Sequence, residues 1–186
     1  MVMETQDEVL TQCQDITQYL EKQGVISKKE RETALRIRMS EPVSVRRRFE
    51  IILLEDLGAD RHRVMRSIAR YLGMEEVLAD GYCSPERLNS IRSMVRDLPG
   101  ELLEEFVCRK ALPMCRRGDT IMIACSDPNE PKIRRLVHYM PARRHIMVYC
   151  RLETINTIIG QVYEHRHEFL EILEEMSRYQ QYAFFR

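Results

Sequence analysis

The sequence predicts an α+β protein: a helical N-terminal subdomain of about four helices in two hairpins, then a small three-stranded β-β-α-β-α subdomain. Three observations carry this. Apolar residues recur at three- and four-residue spacing through the first 73 positions. Three short apolar runs, Leu112 to Cys115, Ile121 to Cys125 and Ile146 to Cys150, have strand length. Helix-like segments follow the second and third of these runs, which places helices over one face of a small sheet. The implied division is 1–73 helical, 74–163 α/β, and 164–186 a C-terminal helical extension.

The first helix carries Val9, Leu10, Cys13, Ile16, Tyr19 and Leu20 and ends at Gly24. Ser27-Lys28-Lys29-Glu30 is a capping box that opens the second, which holds Ala34, Leu35 and Ile37. Ser40-Glu41-Pro42 breaks it. Phe49, Ile52, Leu53, Leu54 and Leu57 form a third helix ending near Gly58. Asp60 caps a fourth, with Val64, Met65, Ile68, Ala69 and Leu72 inward and a stop at Gly73. The two pairs align without a gap at an offset of about 33 residues, as a repeat would. Ile16 then matches Phe49, Leu20 matches Leu53, and the caps Ser27 and Asp60 coincide.

A connector follows over 74–83. Ser84-Pro85 starts a helix with Leu88, Ile91, Met94 and Val95 on one face, and Pro99 opens another with Leu102, Leu103, Phe106 and Val107. The first two apolar runs are joined by Arg116-Arg117-Gly118-Asp119, a hairpin connection with a glycine able to take positive φ. In Ser126-Asp127-Pro128-Asn129-Glu130, Asp127 reads as a cap, Pro128 as the first helical residue and Glu130 as the return half of a capping box. Ile133, Leu136 and Val137 stripe that helix. Leu152 to Tyr163 resumes helical spacing, and Phe169, Leu170, Ile172, Leu173 and Met176 extend it towards an aromatic tail over 179–185.

Lysine plus arginine (29) equals aspartate plus glutamate (29), so net charge supplies no pull on nucleic acid or anionic membrane. The acidic start, Met-Val-Met-Glu-Thr-Gln-Asp-Glu, lacks the basic region of a signal peptide, and no apolar run nears the roughly 20 residues that span a bilayer. The six cysteines form no CxxC pair, which fits reduced thiols in a cytoplasmic protein. No nucleophile elbow, phosphate loop or dinucleotide fingerprint is present, so an enzyme is not expected and no cofactor is called for.

The order Leu112-Pro113, then Ile123-Ala124-Cys125-Ser126-Asp127-Pro128, then Ile155, Ile159 and Tyr163 resembles the N-terminal domain of type II secretion and type IV pilus assembly ATPases. Leu72-Gly73-Met74 and Leu98-Pro99 fit the same pattern, and the likeness runs from Ile16 to Tyr163. The resemblance implies a non-catalytic adaptor that docks to the cytosolic part of an inner-membrane platform protein, peripheral to that membrane through its partner. Family members usually carry an ATPase domain after this one, and without it the chain is not expected to hydrolyse ATP alone.

Some members of that family bind cyclic di-GMP through two tandem helical motifs that begin Arg-Leu-Gly. Laid on this chain, the first copy has Asp15 for the arginine, Thr17 for the first glycine and Arg38 for the closing glutamine, but keeps Gly24. The second keeps Arg48 and has Glu50 and Leu57 for its glycines and Tyr71 for its glutamine. Gly24 and Arg48 are thus the nucleotide contacts that survive, and the expectation from the degraded motif is that cyclic di-GMP is not a partner.

Two other chemistries have weaker support. Arg46-Arg47-Arg48, with Arg61, Arg63, Arg66 and Arg70, is the densest basic region, but Glu50, Glu55 and Asp56 interleave, so a solvated helix face is expected over a nucleic-acid ridge. His165 and His167 stand two apart rather than the four that puts ligands on one helix face, and no metal site is expected.

Overall fold

The computed structural model describes residues 16–77 and 84–162. Helix α1 covers 16–22 of these; α2 (Lys28–Ser40), α3 (Phe49–Glu55) and α4 (Arg61–Tyr71) follow, with a single 3₁₀ turn (Val43–Val45) between α2 and α3. Next come strand β1 (Glu76–Val77), α5 (Pro85–Arg96), α6 (Gly100–Cys108), β2 (Ala111–Arg117), β3 (Thr120–Cys125), α7 (Pro131–Val137), β4 (Arg144–Cys150) and α8 (Leu152–Val162). The fold class is α+β, as the sequence predicts. The extension over 164–186, Tyr163 and the start of the first helix lie outside the described residues.

Local chemistry sets the helix starts. The Ser27 hydroxyl accepts from the Glu30 amide while the Glu30 carboxylate accepts from the Ser27 amide, so both orphan donors are satisfied. Asp60 does the same for the Arg63 amide at 2.7 Å. The chain turns out of α1 through Gly24 (φ 65°) and out of α3 through Gly58 (φ 64°), a conformation that costs other residues a Cβ clash. Phe49, Ile52, Leu53, Met65 and Ile68 meet Leu20 and Ala34 in one buried cluster.

The sheet has four strands in the order β1-β4-β3-β2. β2 and β3 form the antiparallel hairpin, turning through Gly118 at φ 57°. β4 lies parallel to β3, and that pairing needs the crossover that α7 supplies. The two-residue β1, inside the stretch read as a connector, adds parallel to β4; so short a strand has no period to read.

Helices cover both faces of the sheet, not one. Leu112, Met114, Ala124 and Val148 pack beneath α5 and α8, whereas Ala111, Ile121, Ile123 and Cys125 pack against α6 and α7. A parallel strand pair is apolar on both faces and must be buried on both. The side-chain alternation along Ile121-Met122-Ile123-Ala124 sends apolar groups each way, so one covering layer leaves half of them in water.

Phe106, fully buried between α6 and the sheet, is a test of this packing. Phe106→Ala should cost about 3–5 kcal/mol in urea unfolding, and Tyr139→Ala, 75% exposed, less than about 0.5 kcal/mol. Comparable losses at both positions would contradict it.

Candidate functional site

One arginine ties the helical hairpins to the turn after β3. Arg48, at the start of α3, sends its guanidinium to both oxygens of Asp127, at 3.1 and 2.5 Å, in a bidentate pair. The same guanidinium lies 3.1 Å from Glu50 and 3.3 Å from Glu130. Asn129 closes the cluster, donating from its side chain to Glu50 at 2.8 Å and from its amide to Asp127 at 3.1 Å. One positive charge therefore faces three carboxylates.

This geometry corrects the reading of Asp127 as a helix cap. The cap is Glu130, whose carboxylate accepts from the Lys132 amide, and Pro131 rather than Pro128 takes the first helical position. Asp127 is instead the ligand of a cation 79 residues earlier. A local pattern cannot show this, because the capping signature and the ion pair use the same side chain.

Glu50 has almost no exposure, and burial pushes its carboxyl up despite the Arg48 charge beside it. Burial opposes the charge on Arg48, but its bonds to Asp127 and the surrounding carboxylates outweigh this and hold it above the ordinary arginine range.

A second joint forms around Tyr149 on β4, which is buried in the helical core. Its hydroxyl lies 2.9 Å from His62 Nδ1, and the two rings stack at 5.9 Å. Glu76 receives Arg66 at 2.6 Å, with Arg151 at 3.6 Å and His62 Nε2 at 3.8 Å. Burial, then the nearby Arg151 charge, push the His62 pKa down, so it sits neutral among arginines.

The basic region does not form a free ridge. Arg47 binds Glu41, Glu55 and Asp56, Arg48 binds Asp127, and Arg66 binds Glu76. Gly24 lies in the first hairpin turn with its carbonyl accepting from Arg63 at 3.1 Å. Gly24 and Arg48, the two surviving motif positions, are thus held by different partners. Cys108 and Cys115 are half-buried and Cys125 and Cys150 buried, and none of the four is in a disulfide; burial pushes Cys125 up to about 12. Among the described residues no set of three or more metal-ligating side chains gathers; His165 and His167 lie outside them.

Residues 82–169 match the MshEN domain family. The fold is similar to a solved structure of MshE with cdg (cyclic di-GMP), at TM-score 0.57 and 20% identity over 80% of this chain and 98% of that one. It is also similar to the N-terminal domain of XpsE, at TM-score 0.51 and 15% identity over 78% and 92%. No curated protein matches. The chain thus resembles the N-terminal domains of type II secretion and type IV pilus ATPases, as its motifs imply, and carries the fold of such a module.

The expectation that cyclic di-GMP is not a partner is overturned by the first of these structures, in which a protein of this fold is seen with that dinucleotide. Motif identity weighs side chains one by one, whereas a ligand can also be held by backbone and by the shape of paired hairpins, which survive substitution.

The charge imbalance has a measurable consequence. Glu50 carries a raised folded-state pKa, so its contribution to stability is full below its unfolded value and is lost as pH rises through the folded one. Glu50→Gln should flatten the fall in melting temperature as pH rises above the ordinary carboxylate range and leave the variant more stable at neutral pH. Identical slopes in the two proteins would refute this. Asp127→Ala, which removes the bidentate partner of Arg48 and leaves it Glu50 and Glu130, should cost about 2 kcal/mol, less than breaking a fully buried pair, in the same measurement.

Proposed function

We propose that this module is a regulatory element of a secretion or pilus motor that binds cyclic di-GMP across its two helical hairpins. The observation that carries this is the fold shared with MshE, solved with that dinucleotide, over nearly all of the MshE chain. Gly24 and Arg48 are the contacts we assign. Gly24 offers turn backbone, with no side chain in the way of a close approach. Arg48 is tied along its edge by Asp127, yet its side chain is 27% exposed, so the flat face of the guanidinium can stack on a guanine base. A guanidinium already fixed in place loses little freedom on binding. The module acts by binding and makes or breaks no bond, on the cytosolic face of the membrane that carries the machine. Among the described residues no helix is long and apolar enough to cross a membrane.

Calorimetric titration with cyclic di-GMP tests this. Saturable binding, with cyclic di-AMP weaker, is the expected outcome; no saturable heat at high ligand concentration would sink it. Arg48→Lys is the variant of choice. It keeps a charge for Asp127 but removes the planar face, and should weaken binding about tenfold while the melting temperature moves far less than in Asp127→Ala.

Docking onto the cytosolic part of a platform protein is a second reading, favoured by one patch. Met39, in the last turn of α2, and Val43 and Val45, in the 3₁₀ turn that follows, are 63–67% exposed. Val43→Asp with Val45→Asp should abolish capture of that partner domain without altering the melting temperature. Undiminished capture would exclude the patch.

A further inference from the structure

The helical cover on the α5/α8 face of the sheet stops short of one corner. Partners in register share a face, and every second residue along a strand returns to it. Ala124 and Val148 lie on that face, in the core beneath α5 and α8. Met122 and Thr120 on β3, and Ile146 and Arg144 on β4, therefore lie on it too. Their partners on β2 are Cys115 for Met122 and Arg117 for Thr120. Along β4 the burial runs out in this direction: Cys150 and Val148 are buried, Ile146 is 40% exposed and Arg144 is exposed.

Two rows thus cross the sheet side by side at its hairpin end. The first is apolar, Cys115-Met122-Ile146, and the second is basic at both ends, Arg117-Thr120-Arg144. They stand two residues apart along each strand, about 7 Å. Among the described residues neither Arg117 nor Arg144 is paired with a carboxylate. Asp119, in the turn between β2 and β3, goes to Arg143 at 3.3 Å.

An apolar row bordered by cations fits an amphipathic helix with an acidic edge. The chain carries such a sequence just past α8. Phe169, Ile172, Leu173 and Met176 fall at the spacing that puts them on one side of a helix. Glu168, Glu171 and Glu175 fall along one edge of that stripe, and no lysine or arginine stands between 167 and 177. From Glu168 to Glu175 a helix rises about 10 Å, the same as the two strand spacings from β2 to β4. Helix α8 ends on this face beside α5, where the Gln161 carbonyl accepts from Arg92 at 2.6 Å. Only residues 163–167 then separate it from Glu168.

We propose that residues 168–176 dock on this corner as an amphipathic helix. The apolar stripe rests on Met122 and Ile146, and the acidic edge faces Arg117 and Arg144. The occupant is the chain's own segment because its tether holds it beside the corner at an effective concentration that a free acidic helix lacks. The docked segment completes the helical layer on this face. None of these residues belongs to the nucleotide contacts assigned above, and the proposal does not rest on them.

Amide hydrogen exchange on the full chain tests it. The amides of 168–176 should exchange well below the rate of an unstructured chain, at every protein concentration. Arg117→Glu with Arg144→Glu should speed them several-fold and leave the amides of α2 and α4 unchanged. Adding Glu168→Arg, Glu171→Arg and Glu175→Arg to that variant should restore slow exchange, which a merely misfolded variant would not show. Ile146→Asp, with both arginines intact, should also speed the segment. Fast exchange in the native chain, slow exchange that survives either variant, or no recovery on swapping the charges would each overturn the proposal. Protection that grows with protein concentration would overturn it as well, and would assign the corner to a second copy of the chain.

Discussion

The joint between the hairpins and the sheet depends on one guanidinium, that of Arg48, among three carboxylates. Asp127 takes it in a bidentate pair, and Glu50 and Glu130 close around it. Each acidic group also serves a second contact. Glu130 caps α7, Asp127 shapes the turn that carries Asn129, and Glu50 accepts from the Asn129 amide. Removing the arginine would leave uncompensated charge in a partly buried site, and such charge costs more than the pair contributes when intact. The turn after β3 is therefore fixed by a residue at the start of α3. The α7 crossover and the parallel β4 are built from that turn.

A second constraint acts at the other end of the same contact. Tyr149 belongs by sequence to β4 but is buried in the helical core, with its hydroxyl on His62. A buried phenol needs a polar partner, and His62 supplies one. Glu76 collects Arg66 from α4 and Arg151 from the end of β4, so the two-residue β1 is anchored by charge as much as by its ladder. The helical and sheet layers are joined at two places by groups whose partners lie far apart in sequence. A ligand seated on the hairpins would have a mechanical route to the sheet through either joint.

This arrangement recasts the degraded dinucleotide motif. Arg48, one of the two positions it retains, is also the residue that closes the internal joint, and Glu50, which stands where the motif has a glycine, is one of its partners. The residue that stands where the motif has a glycine is thus part of the internal joint. The fold remains that of a protein solved with the ligand.

Much of the architecture was legible because its causes are local. The capping box at Ser27 and Glu30, the Asp60 cap, the glycine turns and the β2–β3 hairpin are set by residues within a few positions of one another. The apolar periods of α5 and α6 named the buried face of each. What the sequence left open was decided by pairings across the chain. Strand β1 exists only because β4 offers it an edge, and the second helical layer is required by the parallel β3–β4 pair. Asp127 reads equally as a cap or as a counter-ion until Arg48 is placed beside it. By itself the sequence determined the α-helices, the three longer strands and their order, since those follow from short-range propensity and period. Only the tertiary structure decided which charges meet, because a bond over 79 residues leaves no trace in local spacing.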